Sequence, residues 1–201
     1  MGRPVKLTDN QATPKDWAKD VVYNAAGQMT AMSYYQASTH WYINETRGYN
    51  ARGQLTRIQS SFINQEYFYP AGNNGRIERM KDWKSGEEVS YQYDSLNRLI
   101  SAVTTGPEWG QSFEYDGFGN LLSQVVTKGS APTLYVNVNA ATNRITTSGY
   151  TYDANGNLTK MPLISSMVYD VENRLIEATH SSNGTDYYQY DPWNRRVWKD
   201  S

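Results

Sequence analysis

Residues 152–158 read YDANGNL, and residues 115–121 read YDGFGNL. The same seven-residue pattern aligns without gaps at six further places, residues 23–29, 49–55, 93–99, 139–145, 169–175 and 190–196. A ninth copy, YPAGNNGRI at residues 69–77, aligns when two residues are inserted. In the eight ungapped copies the first position is Tyr in seven, and the second is Asp or Asn in seven. The chain is therefore a tandem repeat.

The fifth position of the pattern is Gly or Asn in every ungapped copy. These residues are Gly27, Gly53, Asn97, Gly119, Asn143, Gly156, Asn173 and Asn194. Gly and Asn enter the left-handed backbone region at the lowest cost, so their alternation predicts positive φ at this position. Asp or Asn three residues earlier favours the entry to a type I turn. A type I turn closed by a left-handed residue is a hairpin connection with a G1 bulge, so each copy predicts a hairpin tip.

The flanking residues have the alternation typical of β-strands. Before the turn, residues 91–93 (YQY), 113–115 (FEY), 150–152 (YTY) and 188–190 (YQY) alternate aromatic, polar and aromatic side chains. After the turn, residues 55–58, 99–103, 121–126 and 175–178 are β-compatible runs. Because strand side chains alternate between faces, the paired rings share one face of a sheet. The sequence predicts an all-β fold of antiparallel hairpins, with Tyr and Leu packed in ladders.

One short helix is predicted outside the repeats. Residues 13–22 offer Thr13 as an N-cap and Pro14 at the first helical position. We therefore divide the chain into an N-terminal leader segment, residues 1–20, and a repeat module of about nine units, residues 21–199. The first and last hairpins of such an array leave unpaired backbone, which favours self-association through exposed sheet edges.

The composition excludes several classes of function. The chain has 201 residues, no Cys, only 2 His, and 19 Lys and Arg against 20 Asp and Glu. Disulfide scaffolds and thiolate metal sites are thus excluded, and a near-zero net charge argues against a nucleic-acid partner. Residues 1–17 have no signal-peptide core, and no apolar stretch is long enough for a membrane span. No cofactor or metal is predicted.

The repeat resembles a known family. The patterns YDxxGNL, YDxxNRL and YNxxGQL are similar to the YD repeat of the bacterial Rhs family, which resembles the shell repeats of teneurins and of insecticidal Tc toxin complexes. The resemblance covers residues 21–198 and rests on eight copies that share the Gly or Asn position. It implies a long, curved antiparallel sheet that forms part of a β-shell.

The same resemblance implies a structural role. Shells of this kind enclose a toxic polypeptide, so we expect a non-catalytic wall segment that encloses or displays cargo, with adjoining shell segments or cargo as partners. The resemblance also implies a secreted or cell-surface location in bacteria. Family shells are much longer than nine hairpins, so this chain alone is not expected to seal a cavity. Self-cleavage is not carried over, because no Asp-Pro-x-Gly occurs and Asp191-Pro192 belongs to a turn.

Three patterns of polar residues could suggest chemistry, and each has a structural explanation. Carboxylates recur at the second position of the repeat, but Asn24 and Asn50 fill the same place, and an amide cannot act as a general base. Residues 153–157 (DANGN) begin like a calcium loop, but Leu158 and Ile164 stand where that loop needs Gly and Glu. His40 and His180 have no nucleophile at a fixed spacing. No catalytic residue is predicted.

Exposed aromatic rings give an alternative function. Most of the 6 Trp and 17 Tyr should pack in the sheet, but Trp109, in GPEWG, and Trp193, within a turn, are candidates for exposed rings. Flat rings on a surface of low net charge suit a neutral glycan. The alternative to the shell segment is therefore a carbohydrate-binding or adhesion module that uses Trp109 and Trp193 to contact a cell-surface glycan.

Overall fold

The computed structural model describes residues 2–201, and every regular element in that range is a β-strand. It has no helix there, and so none long and apolar enough to cross a membrane. The first twelve strands are β1 (Leu7–Thr8), β2 (Asp16–Tyr23), β3 (Met29–Gln36), β4 (Trp41–Tyr49), β5 (Leu55–Gln59), β6 (Asn64–Phe68), β7 (Arg79–Asp82), β8 (Glu88–Tyr93), β9 (Leu99–Thr104), β10 (Trp109–Tyr115), β11 (Leu121–Gly129) and β12 (Leu134–Tyr135).

These twelve strands form one open sheet in which sequence order equals spatial order, from β1 to β12. Such an order follows from joining each strand to the next by a hairpin, and it confirms the predicted all-β, antiparallel architecture. A register shift falls immediately before the first-position Tyr in several hairpins, as in the β4–β5 pair at Tyr49 and the β8–β9 pair at Tyr93. This shift is the bulge that the left-handed turn residue requires.

The remaining strands form three smaller sheets. Their bounds are β13 (Val138–Asn139), β14 (Arg144–Ile145), β15 (Thr151–Tyr152), β16 (Leu158–Lys160), β17 (Ile164–Tyr169), β18 (Leu175–His180), β19 (Thr185–Tyr190) and β20 (Arg196–Asp200). Strands β13 and β14 pair with each other, β15 pairs with β16, and β17 to β20 form a four-stranded sheet in sequence order. All of these pairs are antiparallel.

The predicted helix over residues 13–22 is wrong. Strand β2 occupies Asp16–Tyr23 and pairs with β1 on one side and β3 on the other. Hydrogen bonds from two neighbouring strands outweigh the weak helix-start signal of Thr13 and Pro14, and the Val-Val-Tyr end of the segment favours a strand. The strand also runs through residue 20, where the sequence suggested a boundary between leader and repeat module.

The chain divides into two compact units. The first holds the residues up to Glu114 together with Gln124–Thr133, and the second holds Tyr115–Ser123 and Leu134–Ser201. Val89 and Thr104, on neighbouring strands of the first unit, are the largest fully buried side chains among the described residues. Most strand residues are half-buried.

Candidate functional site: the turn ladder

The most regular feature of the structure is its set of repeated turns. The fifth-position residues have φ of 82° at Gly27, 78° at Gly53, 65° at Asn97, 90° at Gly119, 55° at Asn143, 94° at Gly156, 60° at Asn173 and 64° at Asn194. In the gapped ninth copy, Gly75 has φ of 99°. The backbone thus needs a left-handed residue at this place in every copy.

Seven of the ungapped turns share one pattern of backbone hydrogen bonds. In residues 169–175, Asp170 donates its N–H to the carbonyl of Arg174 at 3.0 Å, and Asn173 donates its N–H to the carbonyl of Asp170 at 3.0 Å. The equivalent bonds occur in the turns that begin at residues 23, 49, 93, 115, 152 and 190. Each is a short turn closed by its left-handed residue, which is the hairpin connection expected from the sequence.

The second-position carboxylate accepts hydrogen bonds from other residues of its own turn. Oδ1 of Asp170 accepts the backbone N–H of Glu172 at 2.9 Å and of Arg174 at 3.0 Å, while Oδ2 accepts the Arg174 side chain at 2.7 Å. The backbone N–H of Arg174 is the main cause that lowers the pKa of Asp170, and Arg98 does the same for Asp94. Asp94 and Asp170 therefore act as ionised hydrogen-bond acceptors within their turns, and a lowered pKa does not suit a general acid.

In the seven turns that share this pattern, the sixth residue matches the second. Where the second is Asp, the sixth donates from its side chain: Arg98, Asn120, Asn157, Arg174 and Arg195 bond their own turn's Asp at 2.6 to 2.9 Å. Where the second is Asn, the sixth is Gln and accepts, as Gln28 does from Asn24 at 2.9 Å. The sequence prediction missed this match, although the copies display it: Asp occurs with Arg or Asn, and Asn occurs with Gln.

One copy departs from the common turn. Residues 139–145 (NAATNRI) have Ala140 at the second position, where no side-chain acceptor is available. Here Asn143 donates its N–H to the carbonyl of Asn139 at 2.8 Å, one residue further back than in the other turns. Oδ1 of Asn139 accepts the N–H of Ala141 and of Thr142 instead. Asn143 keeps a positive φ, but the hydrogen-bonded turn contains one more residue than the others.

Side chains of one turn also reach the next turn. Asn157 donates to Oδ1 of Asn173 at 2.7 Å, and Arg174 donates to Oδ1 of Asn194 at 3.1 Å. Earlier in the chain, Gln28 bonds the carbonyl of Gly53, and Gln54 bonds the side chain of Asn73. We call this row of turns, with its links from one sixth residue to the next turn, the turn ladder.

The first-position Tyr hydroxyls add a second set of links. Five of them donate to the carbonyl of the last residue of the preceding copy: Tyr49 to Met29, Tyr69 to Leu55, Tyr93 to Ile77, Tyr169 to Leu158 and Tyr190 to Leu175, all at 2.9 Å. The Tyr152 hydroxyl instead accepts the backbone N–H of Ile145 at 3.0 Å. Several of these rings also lie beneath a sixth-position guanidinium, as Tyr190 lies 5.2 Å from Arg174. A half-buried ring with a bonded hydroxyl explains why Tyr, and not Phe, fills the first position.

The residues that could have suggested chemistry are placed as follows. Both carboxylate oxygens of Asp153 are engaged by Asn157, whose backbone N–H lies at 2.8 Å and whose side chain lies at 2.9 Å. The DANGN segment therefore uses its acid to close a turn. His180 bonds Asp186 at 3.2 Å across the β18–β19 pair. Within residues 2–201, no three His, Asp or Glu side chains come together as a metal-binding group.

A polar cluster on the last sheet was not predicted from the sequence. Oδ2 of Asp186 bonds Tyr188 at 3.0 Å and lies 3.2 Å from both His180 and Lys199, so it ties together β18, β19 and β20. Hydrogen bonding to Ser201, and next to His180, holds the pKa of Asp186 well below its usual range. These residues lie on different strands, so no sequence spacing could reveal the cluster.

The two Trp candidates have different environments. Trp193 is 74% exposed, and the guanidinium of Arg195 lies 5.5 Å from its ring. Trp109, which we expected to be an exposed ring, is half-buried in β10, and its indole N–H donates to Glu87 at 2.8 Å. The expectation for Trp109 is wrong because the return loop ends with the Gly-Pro-Glu segment before it. Trp109 is itself the first residue of strand β10. The two residues lie in different units of the chain.

The comparisons with known proteins agree with this geometry. The sequence model described as "Teneurin YD-shell" matches residues 72–201, which is more than half of the chain. The protein belongs to the teneurin YD-shell family. This confirms the resemblance noted from the repeat. A sequence search of curated proteins gives no match.

Solved structures share the YD-shell fold. The crystal structure of TcdB2-TccC3 superposes with a TM-score of 0.70 at 19% sequence identity, covering 96% of this chain and 12% of that chain. The Photorhabdus luminescens Tc holotoxin pore, with a mutation in TccC3, superposes with a TM-score of 0.69 at 19% identity, covering 93% of this chain and 11% of that one. The chain thus spans about one eighth of the length of the structures that it matches.

Proposed function

We propose that this chain is a non-catalytic wall segment of a secreted or cell-surface shell that encloses or displays a toxin or other cargo polypeptide. The turn ladder is the observation that carries the proposal. Its carboxylates close their own turns. Its sixth-residue side chains and Tyr hydroxyls bond the neighbouring repeat, and so join one hairpin to the next. Membership of the YD-shell family supports the same role.

The expected partners are adjoining shell segments and the cargo itself. The two end strands of the twelve-stranded sheet, β1 and β12, each have one sheet neighbour in the described residues, and so does β20 in the last sheet. An open sheet edge presents unpaired N–H and C=O groups that another strand can bond. A neighbouring YD hairpin supplies a strand of the correct kind, with a Tyr hydroxyl and a left-handed turn residue in register.

Protease protection in the native polypeptide tests the enclosure. The polypeptide that carries this segment in its source cell would be isolated intact and digested briefly, with the products identified by mass spectrometry. If the segment is a shell wall, other parts of the polypeptide or a bound partner resist digestion. They become cleavable when Tyr93→Ala and Tyr169→Ala remove two wall links; the exposed Tyr135→Ala is the control. Equal digestion with and without the wall substitutions would refute enclosure.

A further inference from the structure

The N-terminal residues imitate the end of a repeat, although their sequence does not align as a copy. The Arg3 guanidinium lies 5.5 Å from the Tyr23 ring, and the Tyr23 hydroxyl donates to the carbonyl of Pro4 at 2.8 Å. Val21 donates its N–H to the carbonyl of Val5 at 3.3 Å. The first repeat is therefore covered by three consecutive residues from the start of the chain.

A true repeat junction makes the same three contacts. The Arg76 guanidinium lies 5.4 Å from the Tyr93 ring, the Tyr93 hydroxyl donates to the carbonyl of Ile77 at 2.9 Å, and Tyr91 donates its N–H to the carbonyl of Glu78 at 2.9 Å. Residues 3–5 thus stand where the sixth, seventh and following residues of a preceding repeat would stand.

The surface that receives them is formed by Val21, Tyr23 and Gly27, and we call it the acceptor slot. Gly27 belongs to the slot because a β-carbon there would overlap the Arg3 guanidinium. The same relation holds at Gly156, where a β-carbon would lie 3.1 Å from a guanidinium nitrogen of Arg144. The slot therefore recognises an Arg followed by two residues in extended backbone.

Residues 195–197 present that pattern on an exposed surface. Arg195 is the sixth residue of the last turn, and its side chain is 74% exposed, whereas the equivalent Arg174 side chain is 25% exposed. Every residue of β20, Arg196–Asp200, is exposed. Aligned on the guanidinium, Arg195, Arg196 and Val197 correspond to Arg3, Pro4 and Val5.

We propose that a second copy of this chain places its strand β20 in the acceptor slot and displaces residues 3–8, so that copies join head to tail. In the joined form Arg195 lies over the partner copy's first-repeat Tyr ring, and the Arg196 carbonyl accepts that Tyr hydroxyl. The carbonyl of Val197 then takes the place of the Val5 carbonyl. Each contact of residues 3–5 is replaced by its equivalent, whereas the Lys6–Asp16 ion pair and the Thr8–Asp16 hydrogen bond are lost.

The displaced segment is held by few strand contacts. Strand β1 is only two residues long, both are exposed, and its pairing with β2 is interrupted by a register shift between Leu7 and Thr8. Its advantage is the short connection to β2, which gives it a local concentration in the millimolar range. The exchange should therefore depend on protein concentration and should be strong when residues 2–8 are removed. This interface does not depend on the proposed cargo.

One repulsion limits the association of the native chain. Thr8 pairs with Asp16 and donates its hydroxyl to Oδ1 of that residue at 2.9 Å. In the exchanged form Asp200 takes the place of Thr8, so two carboxylates face each other across the strand pair. Asp200→Asn removes the repulsion and should increase the proportion of joined copies.

Cysteine cross-linking tests the register directly, because the chain contains no Cys. The full chain with Val21→Cys and Val197→Cys should form a series of covalent oligomers under mild oxidation, and reduction should return it to a single chain. Val21→Cys with Val5→Cys should instead close within one chain. Val21→Cys with Trp198→Cys, whose side chain lies on the opposite face of β20, is the register control and should give little cross-linking. Equal oligomer series from Val197→Cys and Trp198→Cys, or none from the first pair, would overturn the proposal.

Sedimentation of a variant without residues 2–8 tests the displacement. Its weight-average mass should rise with concentration above that of one chain, and Arg195→Ala should reverse the rise. Lys84→Ala, at an exposed residue away from both ends, is the control and should leave the association unchanged. Association that persists in Arg195→Ala would contradict the assigned contact. If the shortened chain does not fold, the cross-linking of the full chain still decides the matter.

Discussion

The turns at residues 169–175 and 190–196 have the same internal structure and different surroundings. In each, an Asp accepts two backbone N–H groups and the side chain of an Arg at 2.7 or 2.9 Å. Arg174 then continues to Asn194 of the next turn and lies over the ring of Tyr190. Arg195 lies over Trp193 of its own turn and remains mostly exposed.

The difference separates what a turn holds by itself from what the next repeat adds. Internal hydrogen bonds fix the shape of both turns, so shape does not require a neighbour. Of the two Arg side chains, only that of Arg174 is mostly covered, and it is the one that contacts a following turn. Only this first turn also receives a Tyr hydroxyl link, from Tyr190 to the carbonyl of Leu175. In repeat proteins stability is approximately the sum of such unit and neighbour contributions, and the neighbour contribution here is visible at single residues.

Removing the turn carboxylate should have the largest local effect. Asp170→Ala leaves the N–H groups of Glu172 and Arg174 without their acceptor, and their hydrogen exchange should accelerate about tenfold or more. Asp191→Ala should accelerate exchange at Trp193 and Arg195 less, because the uncovered turn opens more easily already. Hydrogen exchange followed by NMR measures both. An equal acceleration in the two turns would contradict the claim that the following repeat stabilises the turn at residues 169–175.

Removing the Tyr190 hydroxyl should make the covered turn more like the last one. Tyr190→Phe deletes the bond to the Leu175 carbonyl and should lower the free energy of unfolding by about 1 kcal/mol. Tyr187→Phe, on the exposed face of the same strand, is the matched control and should change it by less than about 0.5 kcal/mol. Urea unfolding followed by circular dichroism gives both values. The link would be unsupported if the two variants were equally stable.

The two Arg residues should differ by a smaller amount. Arg174→Ala removes the bond to Asn194 and the packing on Tyr190, and it should lower the melting temperature by about 3 °C. Arg195→Ala, which touches only its own turn, should change it by less than about 1 °C. Differential scanning calorimetry measures the difference. A larger loss from Arg195→Ala would mean that the next repeat adds nothing to this position.

The smallest expected effect is a change in acid sensitivity. The pKa of Asp170 is lowered in the fold, chiefly by the backbone N–H of Arg174. A carboxyl with a lowered pKa stabilises the fold above its unfolded pKa of about 3.9, and that contribution is lost as the pH falls through the folded pKa. Asp170→Asn should therefore lose less melting temperature than the natural chain between about pH 7 and about pH 3. The same loss in both chains would contradict the assigned cause.

The sequence was sufficient for the fold because the turns carry local signals. Gly or Asn at the fifth position marks a left-handed residue, and Asp or Asn at the second marks an Asx turn, so strands and hairpins follow on either side. The helix predicted over residues 13–22 failed because a cap signal is local, while β2 is held by strands that are distant in sequence. In a segment with weak local signals, pairing with neighbouring strands determines whether a helix or a strand forms.

The candidate site was less predictable, for two physical reasons. The match between the second and sixth residues, such as Asp170 with Arg174, is visible in the copies once a hydrogen bond is considered. The link from Arg174 to Asn194, the cluster at Asp186 and the role of Arg3 depend on strand registry, which brings together residues far apart in the chain. Trp109 was misplaced for the same reason, because its partner Glu87 lies on another hairpin.

A double-mutant cycle between neighbouring turns tests the turn ladder most directly. Asn157→Ala and Asn173→Gly each remove one side of the 2.7 Å bond, and Gly keeps the positive φ of residue 173. The unfolding free energies of the natural chain, both single variants and the double variant should give a coupling of about 1 kcal/mol. The control cycle of Asn157→Ala with Asn194→Gly, two turns away, should give a coupling near zero. If the neighbouring cycle is also near zero, the turns are independent and the ladder does not join them.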